Sequence, residues 1–194
     1  LSRGLGDVYK RQGKGQPDIQ AEHHNDHKYN HSNGTNHIRE LMGDEKFNYR
    51  VSAIIISNGR ILAMSHDKPS EYYSLPGGRV MMEETAEQAM IREVLEEFGV
   101  SLKISRPLWL NQSFFTKDTD GLRYHEICIY FLMDTADAGL LERQNTFTRT
   151  EGTDTHIFKW LEIAQLKDET FYPLFLKKEI SNLPDGLTIR TEVR

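Results

Sequence analysis

Between Thr85 and Gly99 the chain carries one segment whose two ends are both fixed by local chemistry. Thr85 followed three residues later by Gln88 fits a capping box, with Thr as the cap and Gln reaching back to it. Gly99 is a natural terminator, because glycine adopts the left-handed conformation without a Cβ penalty. A helix ending at Phe98 is therefore predicted, and its last turn is built against its own dipole. That end favours Lys or Arg, yet the sequence "IREVLEEFGV" supplies Glu93, Glu96 and Glu97. Each misplaced carboxylate costs about 0.3–1 kcal/mol.

At about 100° per residue, Met90, Ile91, Val94, Leu95 and Phe98 are expected to form the core-facing side. The three acids cluster on the other side with Ala86 and Ala89. Their i, i+3 and i, i+4 spacings make them neighbours that repel, and Arg92 offsets only part of that repulsion. A solvated acidic face would interleave lysines. Three carboxylates in one turn, beside small alanines, make an all-oxygen ligand set suited to Mg²⁺ or Mn²⁺. The charge is placed for an ion and not for the helix.

Around this helix the sequence reads as a mixed α/β (α+β) domain with a central mixed sheet. "YRVSAIIIS" and "RILAMSH" are apolar, β-branched runs separated by Asn58-Gly59, a strong hairpin signal. "EYYSL", "RVMM", "SLKISRPLWL", "LRYHEICIYFLM" and "THIFKWL" are further expected strands, while "EIAQL" and "YPLFLKKEI" read as helices. The stretch "DTADAGLLERQNTFTRTEGTD" is expected to be a long polar loop. Residues 1–44 are polar, rich in Asn and His and poor in large aliphatics, so they are expected to be a disordered tail. His23, His24, His27, His31 and His37 are more consistent with a solvated tail than with a metal site. Residues 1–12 resemble translated adapter sequence, the domain is expected over 45–182, and 183–194 are expected to be a flexible tail.

The 194 residues suffice for one domain with a real core. A net charge of −5 gives no basic footprint for nucleic acid or for an anionic membrane. The single cysteine, Cys128, excludes an intramolecular disulfide and a zinc–cysteine cluster, and its apolar setting reads as a small buried hydrophobe. No apolar stretch has membrane-spanning length, so a cytoplasmic location is expected by elimination.

Residues 78–100, "GRVMMEETAEQAMIREVLEEFGV", resemble the Nudix box position for position: Gly78, Glu84, Arg92, Glu93, Val94, Glu96, Glu97, Gly99 and Val100 occupy its specified places. The preceding "LPGG" and the later "FKWLEIAQL" are also similar to the family, and the likeness spans about residues 45–180. The resemblance implies an α/β/α sandwich with a catalytic loop–helix–loop, and a metal-dependent hydrolase of nucleoside diphosphates linked to another moiety. Glu96 and Glu97 would be ligands of Mg²⁺ or Mn²⁺, Glu93 a ligand or the water-activating base, and the Gly77 carbonyl a backbone ligand. Arg92 would orient the glutamates, and Glu84 would support the loop or share in metal binding.

Outside the box, Arg50 and Arg79 are candidates for phosphate contact and Tyr73 for stacking a base. Glu126, Glu142 and Glu151 are candidates for an extra acid, with Glu151 ranked first because it ends the long polar loop. The expected partner is a small nucleotide substrate, and a homodimer is compatible with the sequence. A ligand-sensing Nudix-like domain that regulates a partner is the alternative; the intact glutamates favour hydrolysis.

Overall fold

Two sheets are joined by one almost uninterrupted run of chain. In this computed structural model residues 39–66, 72–117, 120–135, 145–151 and 154–194 are described. Strands β1 (Arg39–Met42), β2 (Glu45–Ile54), β5 (Ile104–Thr116), β6 (Arg123–Met133) and β9 (Thr188–Val193) form a mixed sheet in the order β1-β2-β6-β5-β9. β2 runs parallel to β6 and β5 runs parallel to β9, while the β1–β2 and β5–β6 pairs are antiparallel. Strands β3 (Ile56–Ser57), β4 (Arg60–His66), β7 (Thr146–Glu151) and β8 (Asp154–Glu162) form a second, antiparallel sheet in the order β3-β4-β8-β7. Only Ile55 separates β2 from β3, so the chain passes from one sheet to the other through a fully buried residue.

The Asn58-Gly59 hairpin forms as expected, with both residues at positive φ (51° and 75°), which suits the twist of a two-residue turn. Alternation along β2 then divides the core. Val51 and Ala53 join Ala86, Ala89, Met90, Val94 and Phe98 of helix α1 (Ala86–Phe98), whereas Ile54 joins Leu166, Phe171 and Leu176. A 3₁₀ helix (Ile163–Asp168) and the short α2 (Leu176–Glu179) supply that second cluster, giving the α/β/α sandwich. "EIAQL" is thus helical, as a 3₁₀ helix, and "YPLFLKKEI" is helical only over Leu176–Glu179.

Several expectations are corrected. "EYYSL" and "RVMM" are not strands of a sheet and make only isolated bridges, Met64 with Ser74, Tyr73 with Phe171, and Arg50 with Arg79. Residues 39–42, expected within the disordered tail, pair with the open edge of β2. The segment expected as a flexible tail carries β9, because β5 offers a free edge on the side away from β6. Part of the expected polar loop is β7, anchored by buried Phe147, whose ring stacks on Phe158 at 5.1 Å. Residues 1–38, with their histidines, and 136–144, with Glu142, lie outside the described residues. Among the described residues no helix is long and apolar enough to cross a membrane. Cys128 is buried, with its sulfur 3.4 Å from Ser52 Oγ.

Phe158 joins the second sheet to the helix: it is fully buried, with the Phe98 ring at 4.9 Å and the Phe147 ring at 5.1 Å, and those two rings are themselves 6.2 Å apart. Phe158→Ala is expected to lower unfolding free energy by about 3–5 kcal/mol. Urea denaturation with an unchanged slope and a lower midpoint is the check.

Candidate active site

Helix α1 begins and ends as its sequence dictates. Thr85 Oγ1 accepts from Gln88 N at 3.2 Å and Gln88 Oε1 accepts from Thr85 N at 2.9 Å. Gly99 closes the helix at φ 70°. Which side faces inward differs from the apolar periodicity. Ile91 and Leu95 are 41% and 51% exposed, while Glu93 and Glu97 are buried in the same arc as Ala86, Ala89 and Met90. The alanines let the helix approach β2 closely, and the loop Gly77–Gly78 supplies partners that an apolar side chain could not use.

That loop is shaped for the approach. Gly77 stands at φ 132°, a conformation that L side chains rarely adopt, and a Cβ there would lie 2.3 Å from Val51 O. Gly77 N donates to Glu97 Oε1 at 3.3 Å. A Cβ on Gly78 would lie 2.2 Å from Glu93 Oε1, so the Glu93 carboxylate occupies the space a side chain at 78 would need. The strand edge holds the loop in turn, through Val51 N to Gly78 O and Ala53 N to Pro76 O, both at 2.9 Å.

Arg92 gathers the remaining acids. Its Nε donates to Glu84 Oε1 at 2.8 Å and its Nη2 to Glu84 Oε2 at 2.9 Å, a bidentate pair. Nη1 donates to Glu93 Oε1 at 2.7 Å and to Glu96 Oε2 at 3.0 Å, and Nη2 also donates to Arg79 O at 3.1 Å. A guanidinium has five N–H groups, and five acceptors meet them. The Glu84 hydrogen bonds foremost, with those of Glu93, hold the guanidinium well above its ordinary pKa against the opposing effect of burial. Glu84 also accepts from Met81 N at 3.0 Å, which fixes the turn before the helix. Only Glu96 turns substantially to solvent, its side chain 44% exposed.

The donors offered here are carboxylates and one peptide carbonyl, the chemistry of a hard divalent cation. Among the described residues no three acidic, His or Cys side chains converge closely enough to hold an ion in this arrangement. Arg92 draws Glu93 and Glu96 toward itself, and Gly77 N draws Glu97. The residue types fit a cation, and occupying such a site would require the carboxylates to exchange these partners and converge.

The sheet adds a polar chain beside the loop. Arg50 Nη2 donates to Gly77 O at 3.4 Å, and Arg79 Nε donates to Asn48 Oδ1 at 3.3 Å. Asn48, almost fully buried, donates through Nδ2 to Glu126 Oε2 at 3.3 Å across the paired register of β2 and β6. Burial opposes the charge on Arg50, but Glu126 leads the neighbours that hold its pKa above the ordinary value. Glu84, Arg92, Glu93, Glu96, Glu97, Gly77, Arg79 and Arg50 are thus brought together. Tyr73 is not among them: its partners are Lys159, Thr170 and Phe171 beside the second sheet. Glu151 ends β7 opposite Asp154, and its side chain lies outside the described residues. Asn48 was not legible as a site residue; the only signal was a polar residue at an alternating strand position.

A sequence model of the NUDIX domain matches residues 46–178. The chain belongs to the Nudix family. A Bacillus subtilis (strain 168) protein named "Putative 8-oxo-dGTP diphosphatase" is 26% identical over 137 residues, 69% of this chain and 77% of that relative. A Mycobacterium tuberculosis protein named "Putative mutator protein MutT4" is 41% identical over 61 residues, 31% of this chain and 24% of the relative. A mutator MutT protein from Bacillus halodurans shares the fold, with a TM-score of 0.52 at 13% identity over 74% of this chain and 88% of that one. This Nudix protein is a hydrolase of phosphorus-containing anhydrides, a pyrophosphohydrolase.

The two glycines should respond differently to the same substitution. Gly77→Ala meets backbone and a disfavoured φ, so a stability loss of about 2 kcal/mol or more is expected. Gly78→Ala meets the far end of a side chain that can turn away, so a loss below about 1 kcal/mol is expected. Thermal unfolding of both variants tests the contrast.

Proposed function

We propose that this Nudix hydrolase depends on a divalent cation, Mg²⁺ or Mn²⁺, and cleaves the diphosphate linkage of a nucleoside diphosphate joined to a further group. The observation that carries this reading is the carboxylate cluster gathered by Arg92 against the Gly77–Gly78 loop. Glu93, Glu96, Glu97 and the Gly77 carbonyl would hold the cation, which when bound neutralises phosphate oxygens and makes bound water a better nucleophile. Arg92 acts as a positioning residue that sets the spacing of the carboxylates, and Glu84 locks Arg92 in place. In this reading Glu93 takes a proton from the attacking water, and Arg50 and Arg79 meet phosphate oxygens beside the loop.

The additional acid in this reading is Glu126 and not Glu151, supported by its link through Asn48 to Arg79 and by its proximity to Arg50. Two residues before Glu126 on β6, Tyr124 stacks on Phe115 with ring centroids 5.0 Å apart, and Lys46 Nζ lies 5.0 Å from the Tyr124 centroid. These three residues lie at an open depression at the end of the sheet, beside Arg123 and Arg194.

The test is a substrate panel with Mg²⁺: ADP-ribose, NADH, diadenosine polyphosphates, dNTPs including 8-oxo-dGTP, and capped RNA, following phosphate or monophosphate release. The name of the Bacillus subtilis relative is the reason for the oxidised nucleotide. On the substrate cleaved best, Glu97→Gln is expected to lower turnover about 100-fold or more. Apo stability should not fall, because glutamine preserves size, can still accept from Gly77 N, and removes a charge from the helix end. Glu126→Gln should lower kcat/KM at least about tenfold, with Glu151→Gln near wild type.

Cation binding should also register without turnover. An ion that binds only the folded state stabilises it in proportion to the logarithm of its concentration. Millimolar Mg²⁺ or Mn²⁺ is expected to raise Tm, and EDTA to return it. An unchanged Tm over that range would oppose the metal assignment.

A further inference from the structure

Strand β9 closes one end of the five-stranded sheet and, among the described residues, pairs only with β5, so its outer edge presents backbone groups that none of them pairs. Its side chains alternate sharply. Arg190 and Glu192 face inward: Arg190 pairs with Glu179 and lies 4.4 Å from the Phe175 ring centroid, and Glu192 accepts from Asn111 at 3.1 Å. Ile189 and Val193 face the other way and are 75% and 78% exposed, the two most exposed large apolar residues of the described chain. Leu187, just before the strand, is also exposed. An edge strand that displays apolar residues in this way is a surface for strand pairing.

We infer that the outer edge of β9 pairs antiparallel with β9 of a second copy of this chain, about a two-fold axis at Thr191. The sequence "TIRTEV" selects both partner and register. A two-fold axis perpendicular to the sheet pairs residues symmetrically about one central position. With the axis at Arg190 two arginines stand opposite each other, and with the axis at Glu192 two glutamates do; like charges in such pairs are destabilising. With the axis at Ile189 the opposed pairs are Ile189 with itself and Arg190 with Thr188, and Glu192 and Val193 are left without cross-strand partners. With the axis at Thr191, each Arg190 faces a Glu192 and each Ile189 faces a Val193. Opposite charges then share one face and apolar pairs share the other, twice each, in a self-complementary contact. The result is a continuous ten-stranded sheet in which Ile189 and Val193 pack side by side across the new strand pair and lose part of their exposure.

Sedimentation equilibrium of the full chain at tens of micromolar is expected to give a dimer. Ile189→Lys/Val193→Lys, with an unchanged far-ultraviolet circular dichroism spectrum, is expected to give a monomer. A register test stands beside it, and it still decides if that variant fails to fold. The native thiol Cys128 is buried, its pKa pushed up to about 12 first by burial, so an introduced cysteine on the edge is the reactive one. Under mild oxidation Thr191→Cys is expected to form a disulfide-linked dimer. Ile189→Cys is expected to remain unlinked, and Ile189→Cys/Val193→Cys to link. A monomeric wild-type chain at these concentrations overturns the inference. So does a dimer that survives the lysine substitutions, or cross-linking that is equal at 189 and 191.

Discussion

Five N–H groups on one guanidinium organise the site. Without Arg92 the carboxylates of Glu84, Glu93 and Glu96 would lose the guanidinium that all three accept from. With it they are spaced by the planar fork, Glu84 on one edge and Glu93 and Glu96 on one nitrogen. A lysine in this place would carry the charge but could not reproduce the bidentate geometry. The fifth N–H holds the carbonyl of Arg79, so the same group also fastens the loop to the helix.

The loop and the sheet make that arrangement possible. Gly77 and Gly78 allow backbone and carboxylate to approach as closely as they do, since a Cβ at either would overlap Val51 O or Glu93. β2 presents its edge to this loop and its alternate side chains to the two clusters of the core. Arg50 and Asn48 lie on one face of that strand and carry polarity from the loop to Glu126 on β6. The site is therefore distributed over a helix, a loop and a sheet that form as one packed unit.

Much of this was legible locally. The capping box, Gly99 and the Asn58-Gly59 hairpin rest on backbone chemistry spanning a few residues, and each formed as expected. The carboxylate cluster was legible because like charges in one helical turn need an external reason. The buried face of the helix is not the apolar stripe, because apolar periodicity assumes that only apolar residues go inward. Glu93 and Glu97 are buried through hydrogen bonds with Arg92 and Gly77, and that satisfaction outweighs the pull of Ile91 and Leu95. β9 was not legible because its partner β5 lies far away in sequence, and β1 was not because its own pattern is only four residues long.

The sequence by itself determined a capped, acid-ended helix behind a glycine loop, and with it the family and the class of chemistry. Those features depend on contacts within about twenty residues, where spacing alone fixes geometry. The tertiary structure decided which carboxylates turn inward, and that Glu126 through Asn48 joins Arg79 of the loop. It also set Tyr73 against the second sheet and made residues 188–193 an edge strand. Strand register is the physical reason: Asn48 meets Glu126, and Asn111 meets Arg190, only because separate strands are aligned by a core assembled from the whole chain.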